Sequence, residues 1–331
     1  MAQQAGVSLK TVSRVVNHEA GVTPALQEQV QAAIRSLDYR PDDRARALRR
    51  QSTGSRTIGF VPTDVANPFF SGVFRGLEDE AAEQGYLVLA GSSDADPRRE
   101  EALVRAFVGR RVEGLVIASA NPDLSYLKAE LEHGTPAVFV DLEPAETMGD
   151  VVRSDHYGGA ALATRHLLEY GHRRVAYLGD RQALFSSAER RRAFVDVMSA
   201  RGLDTPWIVT GLTTPSEAQI AAEQILRATT RPTALLAAQN YAAMGAVRAL
   251  QRAGLQHEIA LVGIDDADFA ELVDPKISVV PQDPIELGRL TAQCLFSRLA
   301  APDAAPTQLI LNTRLIERGS GEIPPDAAGR A

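Results

Sequence analysis

A single cysteine among 331 residues leaves no material for a disulfide framework or a cysteine-ligated metal. Cys294 lies within an apolar helical stretch, Leu287 to Leu299, where a thiol is core rather than nucleophile. The six histidines are scattered, and His166 with His172 has no cysteine or carboxylate at metal spacing. Phosphate-binding loops are missing too: Gly59 falls inside the first strand, Pro62-Thr63-Asp64 follows it, and no GxxxxGK[ST] occurs. Gly158-Gly159 at a helix start is too little to replace them. With no nucleophile and base to pair, the sequence argues against an enzyme and implies no cofactor and no metal. Nor is there an apolar run of about 18 residues to span a membrane, and residues 1–30 lack the roughly 7–15-residue apolar core of a secretory leader. These absences point to a cytoplasmic protein without a membrane partner.

What is present begins with uneven charge. Residues 1–56 hold nine Lys or Arg against five Asp or Glu, a net +4, so the remainder of a −7 chain carries −11. A basic end on an acidic body is the electrostatic footprint of nucleic-acid binding confined to one domain. Within that end, AGVSLKTVSRVVN from Ala5 combines a glycine turn, Ser8 as an N-cap, and an apolar stripe of Val12, Val15 and Val16. Leu9, Lys10, Thr11, Ser13, Arg14 and Asn17 are left on the outer side. An ordinary amphipathic helix would show the same stripe; the surrounding charge favours a helix made to lie in the major groove. Thr23-Pro24 reads as a cap followed by proline at the first helical position, with Leu26, Val30, Ala33, Ile34 and Leu37 as the buried face. Residues 42–50 have weak helical character and carry Leu48 among arginines, the makings of a hinge that wedges Leu48 into the minor groove.

From Thr57 onward, apolar strands alternate with helices: 57–61, 86–90, 112–117, 136–140, then a second cycle through 175–178, 208–209, 234–237 and 259–263. Continuous apolar strands separated by helices give a parallel sheet covered on both faces, and two cycles give an α/β body of two lobes. Ligands of such sheets bind beyond the carboxyl ends of the strands. The residues there are Asn67 with Phe69 and Phe70, Asp141, Arg190, Gln239-Asn240, Asp265-Asp266 and Gln282-Asp283. Each alone has an ordinary role as cap or core. Together they supply aromatic surface, a fixed cation and several two-way hydrogen bonders, which suits a small polar ligand.

AGVSLKTVSRVVN and the later LDYRPDDRARAL resemble the headpiece and hinge of the lactose repressor/galactose repressor (LacI/GalR) family, and the resemblance continues to about residue 318. It implies an all-α helix-turn-helix headpiece (1–41), a hinge helix and linker (42–56), and a bilobal periplasmic-binding-protein-like body (57–318). Lobe 1 takes about 57–152 and 283–308, lobe 2 about 153–282 and 309–318, and a Pro/Gly/Ala-rich tail (319–331) is expected to be disordered. The implied function is a transcriptional repressor whose operator affinity is switched by a small-molecule effector, a sugar or related metabolite. By the same resemblance Leu9, Lys10 and Arg14 read base edges, Ser8, Thr11, Asn17 and Thr23 fix register on phosphates, and Ala45 and Leu48 occupy the minor groove. Arg190, Asp141, Asp265 and Gln282 match pocket positions; Asn240 replaces the usual Asp, Leu212 stands where many sugar-binding members place an aromatic ring, and Ala193 replaces a glycine.

One departure concerns helix 1, which in the family begins several residues earlier with a valine at the place of Met1; the expectation is an internal GTG codon read as a start, leaving a helix of five residues, Met1 to Ala5, to brace the recognition helix. No leucine heptad follows the last strand, expected at 314–320, so the implied assembly is a homodimer on a near-palindromic double-stranded operator. A solute-binding protein of the same bilobal shape is the alternative, and it would carry no headpiece.

Overall fold

A computed structural model describes residues 1–16, 21–37, 55–121, 123–144, 146 and 148–326. The chain divides into two compact units, Met1–Ser55 and Arg56–Ala331.

In the first unit, α1 spans Leu9–Val16 and α2 spans Pro24–Ser36. Gly6, at φ 63°, makes the turn ahead of α1 in a conformation that suits glycine. Ser8 then caps the helix as expected: its Oγ accepts from the Thr11 amide at 3.1 Å. Thr23 occupies the position before α2 with extended backbone, and Pro24 starts the helix, but the Thr23 hydroxyl makes no capping bond. Val12, Val15, Val30 and Ala33 form the small core, joined by Ala5. Residues 1–5 close a turn in which the Ala5 amide donates to the Met1 carbonyl at 2.9 Å, and Met1 and Ala2 pack on the same core.

The second unit holds two parallel sheets. Its first lobe is built from β1 (Thr57–Val61), α3 (Pro68–Glu83), β2 (Leu87–Ala90), α4 (Pro97–Gly109), β3 (Gly114–Ile117), α5 (Lys128–Glu132), β4 (Ala137–Val140) and β5 (Asp150–Ser154). The chain then crosses into α6 (His156–Glu169), β6 (Val175–Leu178), α7 (Phe185–Ser199), β7 (Ile208–Val209), α8 (Pro215–Leu226), β8 (Ala234–Ala237), α9 (Asn240–Ala253), β9 (Ala260–Ile264) and β10 (Ser278–Val280). It returns through α10 (Pro284–Ala300) and β11 (Gln308–Leu311). Strand order is β11-β5-β4-β3-β1-β2 in the first lobe and β10-β9-β8-β6-β7 in the second.

Local sequence explains where the helices begin. Asn67, Asp96, Thr214 and Asp283 each accept a first-turn amide, and each is followed by proline at the first helical position. The helices close over sheets whose central strands are buried, β3 and β4 with all of β1 beyond Thr57 in one lobe and β6, β8 and β9 in the other. Phe60, Phe139, Phe194 and Tyr177 are the largest buried side chains, and each aromatic so enclosed contributes on the order of 2–3 kcal/mol. Helices α3 and α10 cross at glycines: a Cβ on Gly76 would lie 1.9 Å from the Ile285 carbonyl oxygen, and one on Gly288 2.1 Å from that of Val73. That close crossing brings the returning α10 onto the first lobe.

Three expectations are corrected. Residues 309–311, assigned to lobe 2, belong to β11, which pairs with β5 at Leu309–Val152 and Leu311–Ser154 in lobe 1; residues 153–154 likewise lie in lobe 1. The strand expected at 314–320 reduces to single bridges, Ile316 with Val279 and Gly319 with Lys276. Residues 319–326 of the expected disordered tail pack on lobe 2. There Ser320 Oγ accepts from the Ser278 amide at 2.9 Å, Glu322 Oε1 lies 2.6 Å from His166 Nε2, and the Ile323 carbonyl lies 2.9 Å from His172 Nε2. Low hydrophobicity conceals this anchoring, which is made of hydrogen bonds. Residues 42–54 of the expected hinge, with Ala45 and Leu48, lie outside the described residues, as does Asn17. Among the described residues no helix is long and apolar enough to cross a membrane, and no group of three or more His, Cys, Asp or Glu is placed to hold a metal.

Candidate functional site

The chain passes between lobes after β5, after β10 and after β11, and the carboxyl ends of the central strands of both sheets face the space so formed. At those ends two aspartates take corresponding positions. Asp141 follows β4 at φ 61° and Asp265 follows β9 at φ 73°, left-handed backbone that Asp tolerates and that aims each carboxylate inward.

Asp141 is buried beside His156 and Arg190, with its Oδ1 3.1 Å from His156 Nε2. Burial works to raise the Asp141 pKa, but His156, Arg190 and Ser186 outweigh it and hold the carboxyl below its ordinary value. Arg190, 5% exposed on α7, donates from Nη1 to the Ala238 carbonyl at 2.9 Å and from Nη2 toward His156 Nδ1 at 3.4 Å. On the second aspartate, Oδ1 accepts from Gln282 Nε2 at 2.6 Å and Oδ2 from the Asn240 amide at 3.2 Å. Asp266 turns away to a two-pronged pair with Arg318, both contacts 2.6 Å.

Contacts across the space join the lobes. Asn240 Nδ2 donates to Asn67 Oδ1 at 2.9 Å, Arg181 Nη1 to the Asp94 carbonyl at 3.1 Å, and Tyr241 Oη to the Ala66 carbonyl at 3.5 Å. Phe185, at the start of α7, packs on the core of the first lobe. Phe69 and Phe70 form an edge-to-face pair, centroids 5.1 Å apart, each 8% exposed. Beside Phe70, Ser119, Asp141, Phe185 and Ser186 the free volume is about 10 Å³, on the order of one water.

Among the described residues, seven buried side-chain polar atoms have no hydrogen-bond partner, and four of them are Asp141 Oδ1, His156 Nε2, Arg190 Nε and Gln282 Oε1. Buried polar groups are nearly always satisfied, so these exceptions, three of them on the mutually contacting side chains of Asp141, His156 and Arg190 and the fourth on Gln282 beside Asp265, mark a place for a polar ligand. A larger cavity of about 510 Å³, near Arg174, Arg231 and His257 at the opposite ends of the lobe 2 strands, contains none of these atoms.

Of the expected cleft residues, Asn67, Phe70, Asp141, Arg190, Asn240, Asp265 and Gln282 line or join the space, and Phe69 packs on Phe70 at its edge. Leu212 does not: its side chain is 6% exposed within the apolar core of the second lobe, beside Leu178 and Ala218. Only its carbonyl approaches the site, accepting from Gln239 Nε2 at 2.9 Å. His156, Phe185 and Ser186 are absent from the sequence reading. β5 reads Asp-Val-Val-Arg-Ser and shows no apolar run, which hides the place of His156 after a strand's carboxyl end.

On the headpiece, α1 turns Leu9 outward with 80% exposure, and Lys10 is exposed beside it. Thr11 and Arg14 are half-buried at the margin of the same face. The Ser8 and Thr11 hydroxyls bond each other at 2.9 Å, which leaves one of their two protons for an external acceptor.

Comparison with known proteins bears on both units. Residues 1–42 match the family model "Bacterial regulatory proteins, lacI family", and residues 164–321 match "Periplasmic binding protein-like domain". The ribose operon repressor of Escherichia coli (strain K12) is 31% identical over 97% of this chain and 98% of its own. The crystal structure of the lac repressor dimer bound to operator and the anti-inducer ONPF superposes with a TM-score of 0.84, 26% identity, and 97% of each chain covered. A LacI family transcriptional regulator from Enterococcus faecium with bound ribose gives 0.72 and 26%, over 80% of this chain and 98% of that one.

Proposed function

The chain belongs to the LacI family of bacterial regulatory proteins, and on that premise we propose that it is a cytoplasmic repressor whose effector is a compact polyhydroxylated metabolite of monosaccharide size. As a member of that family it is a DNA-binding repressor regulated by an effector in its binding-protein-like body, and not an enzyme. The headpiece separates it from a solute-binding protein of the same bilobal shape.

The observation that carries the effector reading is the set of unpartnered polar atoms on Asp141, His156, Arg190 and Gln282. They combine donors and acceptors around one space, with the Phe69–Phe70 pair beside them for the apolar face of a sugar ring. With about 10 Å³ free, entry of such a ligand requires the lobes to part and re-form around it. The bound ribose of the Enterococcus faecium protein supports a ligand of this size. On the DNA side, the exposure of Leu9 and Lys10 supports their contact with base edges, with Arg14 at the same face. Ser8, Thr11 and Thr23 then hold phosphates; Asn17, Ala45 and Leu48 are assigned to DNA on sequence grounds. Leu87 on the outer strand β2, 72% exposed, and Leu272, 83% exposed, offer apolar surface for a second copy, and a homodimer calls for a near-palindromic operator. Effector occupancy and operator affinity then alter one another by the same factor.

A thermal-shift screen of pentoses, hexoses, purine bases and small acids tests the reading, since a ligand of the fold raises its stability by mass action. A rise with a sugar, followed by a changed operator affinity in fluorescence anisotropy, is the expected result. A rise with a purine or an acid alone would replace the sugar with that class.

A further inference from the structure

Two of the orphaned atoms between the lobes face each other. Asp141 Oδ1 and His156 Nε2 stand 3.1 Å apart, yet neither has a hydrogen bond, because the contact lies off the line that one needs. On the far side of the ring, His156 Nδ1 lies 3.4 Å from Arg190 Nη2. A guanidinium only donates, so Nδ1 holds a lone pair and the ring proton sits on Nε2, the atom beside Asp141. Arg190 has Nη1 tied to the Ala238 carbonyl and Nη2 turned to His156, which leaves Nε without a partner. Phe185 stands edge-on to the imidazole with centroids 6.1 Å apart. The His156 side chain is 1% exposed and that of Asp141 11%.

We propose that Asp141 and His156 form a subsite that reads one hydroxyl group of the effector. This rests on the polyhydroxylated ligand proposed above and narrows it to a molecule that presents a neutral hydroxyl, not an acid group, to this corner. An oxygen about 2.8 Å from both atoms forms the apex of a triangle on their 3.1 Å base, a normal hydrogen-bond distance to each. From there it accepts the Nε2 proton and gives its own proton to the carboxylate. A carboxylate or ketone oxygen has no proton to give and faces the Asp141 charge. An ammonium has no lone pair for the ring N–H. The pair therefore selects a group that donates and accepts at once. Arg190 is the positioning member, since it fixes the His156 tautomer from the far side of the ring, and the place of His156 at the first residue of α6, after the crossing from lobe 1, lets one hydroxyl engage both lobes.

Calorimetric titration of the full chain with D-ribose and with 2-, 3- and 5-deoxy-D-ribose tests the subsite. Wild type is expected to bind one deoxy sugar at least about tenfold more weakly than ribose, because the buried pair is left unmatched. In His156→Ala that ratio falls to within about twofold, while His156→Gln, whose amide keeps one donor and one acceptor, retains part of it. Nitrogen-15 NMR of histidine-labelled wild type, assigned with the His156→Gln variant, is expected to show the Nε2–H tautomer, a readout that needs no ligand. An Nδ1–H tautomer overturns the subsite. Unchanged discrimination in His156→Ala overturns it too, and leaves the sugar reading standing. Failure of wild type to bind any polyol defeats that reading, and the subsite with it.

Discussion

Asn67 and Asn240 meet across the two lobes, with Nδ2 of Asn240 donating to Oδ1 of Asn67 at 2.9 Å. The same Asn67 oxygen also caps α3 through the Phe69 amide at 3.0 Å, so one atom starts a helix and receives the opposite lobe. The family pattern has Asp at position 240, and the amide here brings the proton that makes this contact.

The two asparagines therefore predict unequal losses. Asn240→Ala removes the bridge together with an oxygen 2.7 Å from the Tyr241 amide, a donor that Gln239 Oε1 still serves, and should lower stability by about 1 kcal/mol. Asn67→Ala removes bridge and cap together and should cost about 2 kcal/mol. Urea unfolding of the two variants measures the difference, and equal losses would show that the bridge, not the cap, dominates. Small-angle scattering should also find Asn240→Ala more extended than wild type.

Arg190 carries a second prediction. Replacing it with Ala leaves the Ala238 carbonyl, His156 Nδ1 and the Asp141 carboxylate buried without their cation, and removing one partner of such a set costs roughly 3–5 kcal/mol. Arg190→Lys keeps the charge but has no fork to reach Ala238 and His156 together, and should recover less than half of that loss. Both variants should bind operator DNA at low temperature yet give no change with effector. Anisotropy titrations with and without the sugar identified by thermal shift read this directly.

Much of this was legible in the chain. The strands 57–61, 175–178, 208–209 and 234–237 and the helix 97–109 stand where the apolar pattern places them. What escaped has physical causes. β5 presents only Val151 and Val152 between Asp150 and Arg153, and Asp150 is buried because Arg298 arrives from 148 residues away to pair with it. Leu212 obeys the site pattern by position but points into the core, a choice made by packing with α8 and β6. The ordered tail depends on His166, His172 and Ser278, which no local pattern links to residues 320–323.

That tail gives the fold a defined response to acid. Burial pushes the His172 imidazole down to about 4, against a bond to the Ile323 carbonyl that opposes the shift. The folded chain keeps His172 neutral, whereas the unfolded chain takes up a proton below pH 6.5, so stability is full above that value and falls toward pH 4. Between pH 6.5 and 5 the loss should be on the order of 2 kcal/mol. His172→Gln cannot titrate, and its stability should be flatter over this interval when both proteins are unfolded in urea across the pH series.

Lower in pH the Asp150–Arg298 pair takes over. Burial favours the neutral Asp150 carboxyl, but bonds from Arg298 Nε and Nη2, both 2.9 Å, and from the Thr307 amide outweigh it and depress the pKa. A depressed carboxyl contributes stability above its ordinary pKa and loses it as pH falls through the folded value, here below about 4. Arg298→Ala should be destabilised by roughly 3–5 kcal/mol at pH 7, since it leaves Asp150 buried without its cation, with the Thr307 amide still bonded to it. Asp150→Asn should show a shallower acid limb than wild type below pH 4, with no difference in slope between pH 6.5 and 5, where His172 titrates.

At the headpiece, two neighbouring surfaces should fail in different ways. Leu9 is apolar and 80% exposed, and on the proposed contact with a base edge, such as a thymine methyl, Leu9→Ala should change which operator positions matter at a cost of roughly 1–3 kcal/mol on the preferred site. Thr23 makes no capping bond, so its hydroxyl is available for phosphate, and Thr23→Val should weaken all DNA sequences about equally, by about 1 kcal/mol. A selection from randomised operators separates the two, because only the leucine variant should return a new consensus. If the threonine variant shifted the consensus and the leucine variant did not, the division between reading and positioning on this face would be reversed.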